Sequence, residues 1–339
     1  MSSSDVFGDS SQLQAPATKP RLNYDLRPLS TGEVLDRTFQ IYRSRFALFA
    51  GLAMLPAAVS VVTNAIRLLY ATRMDTHVHV GAAIYRAQIF SGLLSVVAGL
   101  ISIVLYGITQ AATTWAVSAV YLGEAASIKA AYGVAFRHWV RYTLIVLRQT
   151  WAAIWLPLVF VLAAVMTSAV TKRHGGGFGW LVTLLVVLAL LSFIYGLWAY
   201  IRISLAVPAA VVESLKVGLA VRRSAQLLAS RKVRIFLLLL LLAALYLVVG
   251  TIESPLLLIA VRSRGTEAFV TQGINLAVSF VAGTLIGPVG AIGLCLFYFD
   301  ERVRREGFDI EWMMKKLAPA AGSGPDYPAS LQGDSVEPA

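Results

Sequence analysis

Charged residues and cysteine are both scarce in this chain of 339 residues. Only 14% of the residues are charged, whereas soluble domains carry about a quarter, and 58% are hydrophobic. The single cysteine, Cys295, lies inside an apolar run, which excludes an intramolecular disulfide and a thiol metal cluster. Because the apolar residues are gathered into runs of roughly 20 or more, a chain made only of soluble domains is also excluded.

The sequence also lacks the local patterns that mark common enzymes and export signals. No phosphate-binding loop, G-x-S-x-G, H-E-x-x-H or dinucleotide fingerprint occurs, so we expect no enzymatic activity and no cofactor. The chain begins with a polar segment, and its first apolar block starts only near Phe46. A signal peptide would carry its apolar core earlier, so none is expected.

Six long apolar segments predict an all-α integral membrane protein. Each has the ~20 residues that a helix needs to cross ~30 Å of hydrocarbon, and none shows the two-residue alternation of barrel strands. The predicted domain is 27–316, between disordered cytoplasmic tails at 1–26 and 317–339. The predicted spans are 46–67, 91–119, 149–170, 179–200, 235–260 and 273–298.

The distribution of basic residues predicts the orientation of these spans. Of the 29 Lys and Arg residues, 22 fall on the side that carries both termini, so both termini are expected in the cytoplasm. Anionic lipid headgroups would then be the partner of the basic segments. Nucleic acid is not expected, because no basic module with interleaved aromatic residues occurs. The interfacial basic residues are Arg37, Arg43, Arg45, Arg222, Arg223, Arg231, Lys232 and Arg234.

The basic segments suggest an internal repeat of three units, each an interfacial helix followed by a helical hairpin. "DRTFQIYRSR" at 36–45 aligns with "RRSAQLLASR" at 222–231, so that Arg37 meets Arg223 and Gln40 meets Gln226. The segment 127–148 shares the order of elements more than the letters. The repeat prediction therefore depends mainly on this matching order.

The first unit opens with a helix start signal. "STGE", from Ser30 to Glu33, is a capping box, and Leu35, Phe39 and Tyr42 then recur at helical spacing. This pattern predicts an amphipathic helix that lies in the membrane surface and turns into the first span. Such helices either anchor the fold or form a docking surface for a membrane or cytoplasmic partner protein.

Two groups of residues could carry chemistry. Asp75, His77, His79 and His174 lie in outer loops and could bind a divalent metal, or could be ordinary solvated loop residues. Glu253 lies inside the fifth span, where an acid is a candidate for a substrate path. Alternatively, Glu253 reaches the headgroups or pairs with Arg262 or Arg264. Arg148, at the inner end of the third span, is a second candidate for the path or a snorkelling cation.

Small residues form stripes along two of the predicted spans. Gly92 and Gly99 recur in the second span, and Gly283, Gly287 and Gly290 recur in the sixth. Such spacing lets helices approach closely, so these glycines are predicted to pack helices, with a polar-lined path as the alternative.

Four segments resemble a bacterial family of multi-span proteins labelled as the glycerophosphoryl diester phosphodiesterase membrane domain and related domains of unknown function. They are "RPLSTGEVLDRTFQIYRSRFALF" at 27–49, "AVYLGEAASIKAAY" at 119–132, "RISLAVPAAVVESLKVGLAVRRSAQLL" at 202–228 and "YFDERVRREGFDIEWMM" at 298–314. The resemblance implies a protein of the bacterial cytoplasmic membrane, with no established activity for the membrane domain. The fused catalytic barrel of some relatives has no counterpart, because the segments between the spans are too short.

These observations predict a non-enzymatic scaffold, assembly component or membrane-homeostasis protein. A transporter or channel for a small or lipid-like solute is the alternative, and a metal-dependent membrane enzyme is the third hypothesis.

Overall fold

The computed structural model describes residues 28–74, 80–174, 179–229, 232–262, 266–307 and 314. Every regular element in these ranges is an α-helix, and there is no strand among them. The helices are α1 (Thr31–Ser44), α2 (Phe46–Met74), α3 (Val80–Tyr121), α4 (Ile128–Arg137), α5 (Trp139–His174), α6 (Gly179–Ile203), α7 (Ala206–Val212), α8 (Val217–Leu227), α9 (Lys232–Arg262) and α10 (Thr266–Glu306). The predicted tails and Asp75, His77 and His79 lie outside the described residues.

Six helices are long and apolar enough to cross a membrane, which confirms the prediction of six spans and describes a multi-pass membrane protein. The candidate spans are Phe46–Tyr70, Gln88–Tyr121, Trp139–Thr171, Gly179–Val212, Lys232–Ala260 and Thr266–Glu306. They extend beyond most of the predicted limits. At the end of α10, Asp300 and Glu301 end the apolar run in the sequence, but the helix continues through them because both side chains are buried and paired with arginines.

The helix α10 is the centre of the bundle. Of its most apolar window, 61% of the residues are buried, whereas the other five spans bury only 6–22% of theirs. It packs against α9, α2 and α3, and its buried residues gather toward its C-terminal half. The remaining spans therefore leave most of their apolar surface for lipid.

The short helices α1, α4, α7 and α8 pack at one end of the bundle, which we call the basal end; the opposite end is the distal end. Large side chains such as Phe49, Tyr142 and Phe297 are fully buried at the basal end. At the distal end the spans expose their side chains, as lipid-facing helices do. The helix α7 was not predicted, because its seven residues lie in the segment between the predicted spans 179–200 and 235–260.

The helix α1 begins at the predicted capping box. The Glu33 amide donates to the Ser30 hydroxyl, and the Ser30 amide donates to the Glu33 carboxylate. The buried face of α1 is Val34, Thr38 and Ile41, one residue away from the predicted stripe. Phe39, which belongs to that stripe, is exposed. The predicted stripe thus lies beside the buried face and not on it, because the face of Val34, Thr38 and Ile41 packs against the protein.

An ionic cluster joins three parts of the chain at the basal end. We call Arg234, Asp300, Glu301 and Arg304 the basal cluster. Asp300 and Glu301 are almost fully buried, and the Arg234 guanidinium lies 2.5 Å from Asp300 and 3.4 Å from Glu301. Arg304 lies 3.1 Å from Asp300, one helical turn away, as the spacing of four residues predicts.

The basal cluster also holds the backbone that precedes α1. The Leu29 amide donates to Asp300, and the Leu29 carbonyl accepts from Arg234 and Arg304. The Arg234 Nε also donates to the Thr31 hydroxyl. The start of α1, the start of α9 and the end of α10 are therefore tied together by charge-assisted hydrogen bonds, which are the stronger kind. The helix α10 ends at Glu306, and Gly307 adopts a positive φ of 63°, as a glycine cap does.

The α5–α6 hairpin depends on a glycine beside a proline. Pro157 cannot donate to the carbonyl of Ala153, four residues earlier in α5. Gly196 of α6 lies directly over that carbonyl, and a Cβ at position 196 would collide with it. The absence of a side chain at Gly196 therefore sets how closely α5 and α6 approach.

Replacing Arg234 by Gln should lower the free energy of unfolding by about 3–5 kcal/mol, because the buried Asp300 and Glu301 would lose the arginine that they share. Unfolding of the detergent-solubilised protein by SDS measures this loss. Arg222→Gln removes an equal charge from an exposed position and should change stability by less than about 0.5 kcal/mol. Equal losses in the two variants would show that the basal cluster does not stabilise the fold.

Replacing Gly196 by Ala should lower the unfolding free energy by about 1–3 kcal/mol, because the new methyl group must push α5 and α6 apart. Gly250→Ala is the matched control, since a Cβ at Gly250 meets nothing within 4 Å. The control should be neutral or more stable by up to about 1 kcal/mol. A Gly196→Ala protein as stable as wild type would contradict the close approach.

Candidate functional site

A cavity of about 230 Å³ lies between α2, α3, α9 and α10. Its wall runs along α2 from Ala53 to Asn64 and along α10 from Leu276 to Ala291. At about 1.5 Å per residue, it begins some 10 Å along α2 from Phe46 and ends near 27 Å. Ser60, Asn64 and Tyr246 in the wall are exposed, so the cavity is partly open to the surroundings of the bundle.

Glycines and prolines shape this cavity. A Cβ at Gly283 would lie 3.7 Å from the Ala57 methyl group, and one at Gly287 would lie 3.8 Å from the Ala53 methyl group. The helices α2 and α10 therefore cross with small residues in contact, as small-residue stripes allow. Pro56 and Pro288 also line the cavity, and each interrupts the hydrogen bonding of its helix.

The carbonyl that Pro56 leaves free has a specific partner. Pro56 cannot donate to the Leu52 carbonyl, and the Tyr132 hydroxyl of α4 donates to it at 2.6 Å. Burial raises the pKa of Tyr132 by more than the hydrogen bond with Thr109 lowers it. The pKa therefore lies above its usual value, and the phenol remains protonated at neutral pH. One tyrosine of a short basal helix thus satisfies the carbonyl that Pro56 leaves free beside the cavity.

The same tyrosine determines how Thr109 faces the cavity. The Tyr132 and Thr109 oxygens are 3.4 Å apart, and the single Tyr132 proton is already given to the Leu52 carbonyl. Thr109 must therefore donate to Tyr132. Thr109 lines the cavity, so its hydroxyl offers only lone pairs there.

Three other polar side chains of the wall also donate hydrogen bonds to neighbouring groups. The Ser60 hydroxyl donates to the Pro56 carbonyl at 3.1 Å, and the Asn64 amide nitrogen donates to the Ser60 carbonyl at 2.9 Å. The Ser279 hydroxyl donates to Glu253 at 2.6 Å. Together with Thr109, the Ser60 and Ser279 hydroxyls therefore offer lone pairs to the cavity, and the Asn64 amide also keeps a second N–H.

Gln110 adds a buried acceptor without a partner. Its side chain is 4% exposed and lines the cavity, and its Oε1 has no hydrogen-bond partner among the described residues. A buried polar atom without a partner costs about 1–3 kcal/mol. The lining residues otherwise carry mostly apolar surface, and none of them is a carboxylate, an imidazole, an amine or a thiol. The cavity is therefore uncharged and largely apolar, and acceptors from Thr109, Ser60, Ser279 and Gln110 lie in its wall beside the hydroxyl and amide donors of other lining residues.

The structure places Glu253 next to this wall but not in it. Glu253 accepts a hydrogen bond from the Ser279 hydroxyl across the contact of α9 with α10. Arg148 is exposed at the basal end of α5, far along the chain from the cavity-lining segments. Its neighbour Gln149 is buried and donates to the Ile203 carbonyl at 2.7 Å, which ties α5 to the end of α6. The structure does not bring Glu253 and Arg148 together.

The candidate metal ligands fall outside what the structure describes. Asp75, His77 and His79 precede α3, and His174 ends α5 with its side chain outside the described part. Within the described ranges, no group of three or more His, Cys, Asp or Glu side chains could hold a metal ion. The metal hypothesis therefore stays a prediction.

The predicted interfacial basic residues divide into two groups. Arg234 belongs to the basal cluster, and Arg223 binds Glu213 at 3.0 Å and also pairs with Glu306. Burial lowers the pKa of Arg223, but its hydrogen bonds to Glu306 and Glu213 outweigh this and raise the pKa above its usual value. Arg37 lies 3.4 Å from the Tyr121 hydroxyl. The residues Arg43, Arg45 and Arg222 are exposed, Lys232 is half-buried, and Arg231 lies outside the described residues.

The predicted packing glycines also divide. Gly283 and Gly287 face α2, and a Cβ at Gly290 would lie 3.1 Å from Leu242 of α9. A Cβ at Gly92 or Gly99 would meet nothing within 4 Å, so neither glycine lies at a close helix contact within the described part of this chain.

Two residues of the site, Gln110 and Tyr132, were not identified from the sequence. Gln110 gave a usable signal, because it is an amide inside the apolar run of the second span. Tyr132 gave none, because its partner is a main-chain oxygen that only the fold brings near.

Comparisons with protein-family models, with curated proteins and with solved structures each found no match for this chain.

Replacing Tyr132 by Phe should lower the unfolding free energy by about 1–3 kcal/mol, because the Leu52 carbonyl would lose its donor. Thermal unfolding in detergent measures the loss. Tyr195→Phe is the control, since Tyr195 is an exposed tyrosine on the α5–α6 hairpin. Indistinguishable melting temperatures for the two variants would mean that the hydrogen bond from Tyr132 to the Leu52 carbonyl does not stabilise the fold.

Proposed function

We propose that this protein binds an uncharged, lipid-like molecule within the membrane, in the cavity between α2, α3, α9 and α10. The observation that carries the proposal is Gln110, a buried amide with an unpartnered oxygen in the wall of a largely apolar cavity. Apolar walls suit an acyl or prenyl chain, and the unpartnered oxygen suits a polar group on the same molecule.

The acceptors in the wall define the head group of that molecule. The Thr109, Ser60 and Ser279 hydroxyls each donate a hydrogen bond to another group of the protein, and the Gln110 oxygen accepts none from the described residues. A ligand that donates hydrogen bonds satisfies them, whereas a ligand with acceptors alone does not. A charged head group would lack a counter-charge in the lining and would pay for its desolvation. The preferred class is therefore a neutral amphiphile with free hydroxyl or amide protons.

The volume of the cavity limits how much of the ligand it holds. About 230 Å³ is the space of roughly seven or eight water molecules at ~30 Å³ each. This accommodates a small polyol head with the first part of one chain. The rest of the chain leaves through the open side between Ser60, Asn64 and Tyr246, where the exposed spans meet lipid.

Three broader predictions remain alongside this proposal. We place both termini in the cytoplasm of a bacterial cell because of the basic residues and the family resemblance, and we expect binding rather than catalysis. Transport of the bound molecule remains the alternative function, with Glu253 beside the wall. A role as scaffold or assembly partner also stays a prediction, since lipid alone accounts for the exposed apolar faces.

We also propose that the chain consists of three related units. A short helix precedes each pair of long helices, as α1, α4 and α8 do. The fully buried residues of α1 are Val34, Thr38 and Ile41, and those of α8 are Ala220, Ser224 and Leu227. These are the same positions in the alignment of Arg37 with Arg223, so the two helices bury matching faces. That agreement supports a common origin for the first and third units.

Photolabelling tests the binding proposal. The probe is a monoacylglycerol with a diazirine in its acyl chain, incorporated into phosphatidylcholine vesicles that hold the protein. Labelling should concentrate on 53–64, 106–113 and 276–291, the segments that line the cavity. Ser60→Phe should reduce this labelling several-fold by filling space. Ser168→Phe is the matched control, because Ser168 is a half-buried serine of α5 that lies outside the cavity wall and has a similar bond to its own helix.

A second probe isolates the hydrogen bonds. The methyl ester of the same fatty acid keeps the chain but has no hydroxyl proton to donate. Wild-type protein should prefer the monoacylglycerol by up to about tenfold, the effect of one or two hydrogen bonds. Gln110→Leu should remove most of that preference and leave labelling by the ester unchanged. Labelling spread evenly over all six spans, or a Ser60→Phe protein labelled like Ser168→Phe, would refute the proposal.

A further inference from the structure

Two basic side chains lie against one tryptophan where α6 ends and α9 begins. The Lys232 ammonium is 4.8 Å from the centre of the Trp198 ring, and the Arg202 guanidinium is 5.7 Å from it. Both distances are within the ~6 Å range of cation–π attraction. We call the two cations that share the Trp198 ring, Arg202 and Lys232, the α6–α9 basic pair. This pair lies outside the cavity described above.

No acidic side chain among the described residues pairs with either cation of the α6–α9 basic pair. The contrast with Arg234 is direct, because that arginine is two residues beyond Lys232 and binds two buried carboxylates. Two like charges over one ring repel each other, and the attraction of each cation to the ring offsets this only in part. An anion between them would turn the repulsion into attraction.

The backbone holds the two cations in place. The Arg202 carbonyl accepts from Ser224 of α8, and the Leu205 amide donates to the same hydroxyl at 3.1 Å. Lys232 is the first residue of α9, where helix amides without intrahelical partners also favour an anion. The side chains are thus presented by fixed helix ends, and a phosphate matches both the fork of Arg202 and the point charge of Lys232.

The surroundings of the α6–α9 basic pair favour a lipid over a free phosphate. Tyr195, Trp198 and Phe236 are exposed on the spans beside it, and they continue the apolar surface of the six spans. A basic group at the end of an apolar face is the arrangement that binds the head group of an anionic lipid while its chains follow the helices.

We infer that Arg202 and Lys232 with Trp198 form a binding site for the phosphate of an anionic membrane lipid, whose acyl chains lie along α6 and α9. This site is independent of the proposed cavity ligand. It also differs from a diffuse attraction of the basic surface to headgroups, because it predicts one lipid at one position.

Native mass spectrometry of the full chain, with phosphatidylglycerol and phosphatidylcholine as probes, tests the site. Wild-type protein should retain one phosphatidylglycerol in preference to phosphatidylcholine. The double variant Arg202→Gln, Lys232→Gln should weaken that retention at least tenfold. The control Arg137→Gln, Arg222→Gln removes the same charge from exposed positions on α4 and α8 and should leave it unchanged. An equal loss in both double variants would overturn the site in favour of diffuse charge.

Two further measurements separate the remaining outcomes. Millimolar inorganic phosphate should not displace the lipid, and displacement would overturn the assignment to a lipid. Phosphatidylglycerol with brominated chains should quench part of the tryptophan emission, and Trp198→Phe should remove that part while both cations remain. This readout needs no change at Arg202 or Lys232, so it applies even if the double variant does not fold. Quenching that is the same in Trp198→Phe would contradict the site.

Discussion

The pairing of buried carboxylates on α10 with Arg234 is the interaction on which the architecture depends. Asp300 and Glu301 are acids in the most buried helix of the bundle, and an unpaired charge there would be costly. Arg234 and Arg304 pair with them and bind the Leu29 carbonyl, so the segment before α1 is fixed by the same groups. These ion pairs and hydrogen bonds thus hold the start of α1, the start of α9 and the end of α10 together at the basal end.

The sequence predicted the spans well because apolar length is a local property. It predicted their ends poorly, since Asp300 and Glu301 look like the end of a membrane segment until Arg234 is placed beside them. The face of α1 was displaced by one residue for a similar reason: Val34, Thr38 and Ile41 lie against protein, a fact that a lipid-facing pattern does not contain. The positions of Gly283 and Gly287 against α2 agree with the predicted stripe, whereas Gly92 and Gly99 have no neighbour in the described chain.

The cavity was beyond the reach of the sequence because it depends on distant contacts. The sequence shows Pro56 within the first span, but the group that satisfies the Leu52 carbonyl freed by it lies 80 residues from Leu52, on α4. Because the Tyr132 hydroxyl donates to Leu52, Thr109 donates to Tyr132 and presents its lone pairs to the cavity. Local patterns give the helices that surround a cavity, and the hydrogen-bond network between them gives its chemistry.

The uneven burial along the bundle has a mechanical consequence. The basal end is densely packed, whereas five of the six spans bury at most 22% of the residues in their most apolar windows. Densely packed interiors resist compression, so a change in lateral pressure or bilayer thickness is absorbed where the helices touch least. We therefore expect the distal end of the bundle to respond to such changes more than the basal end does.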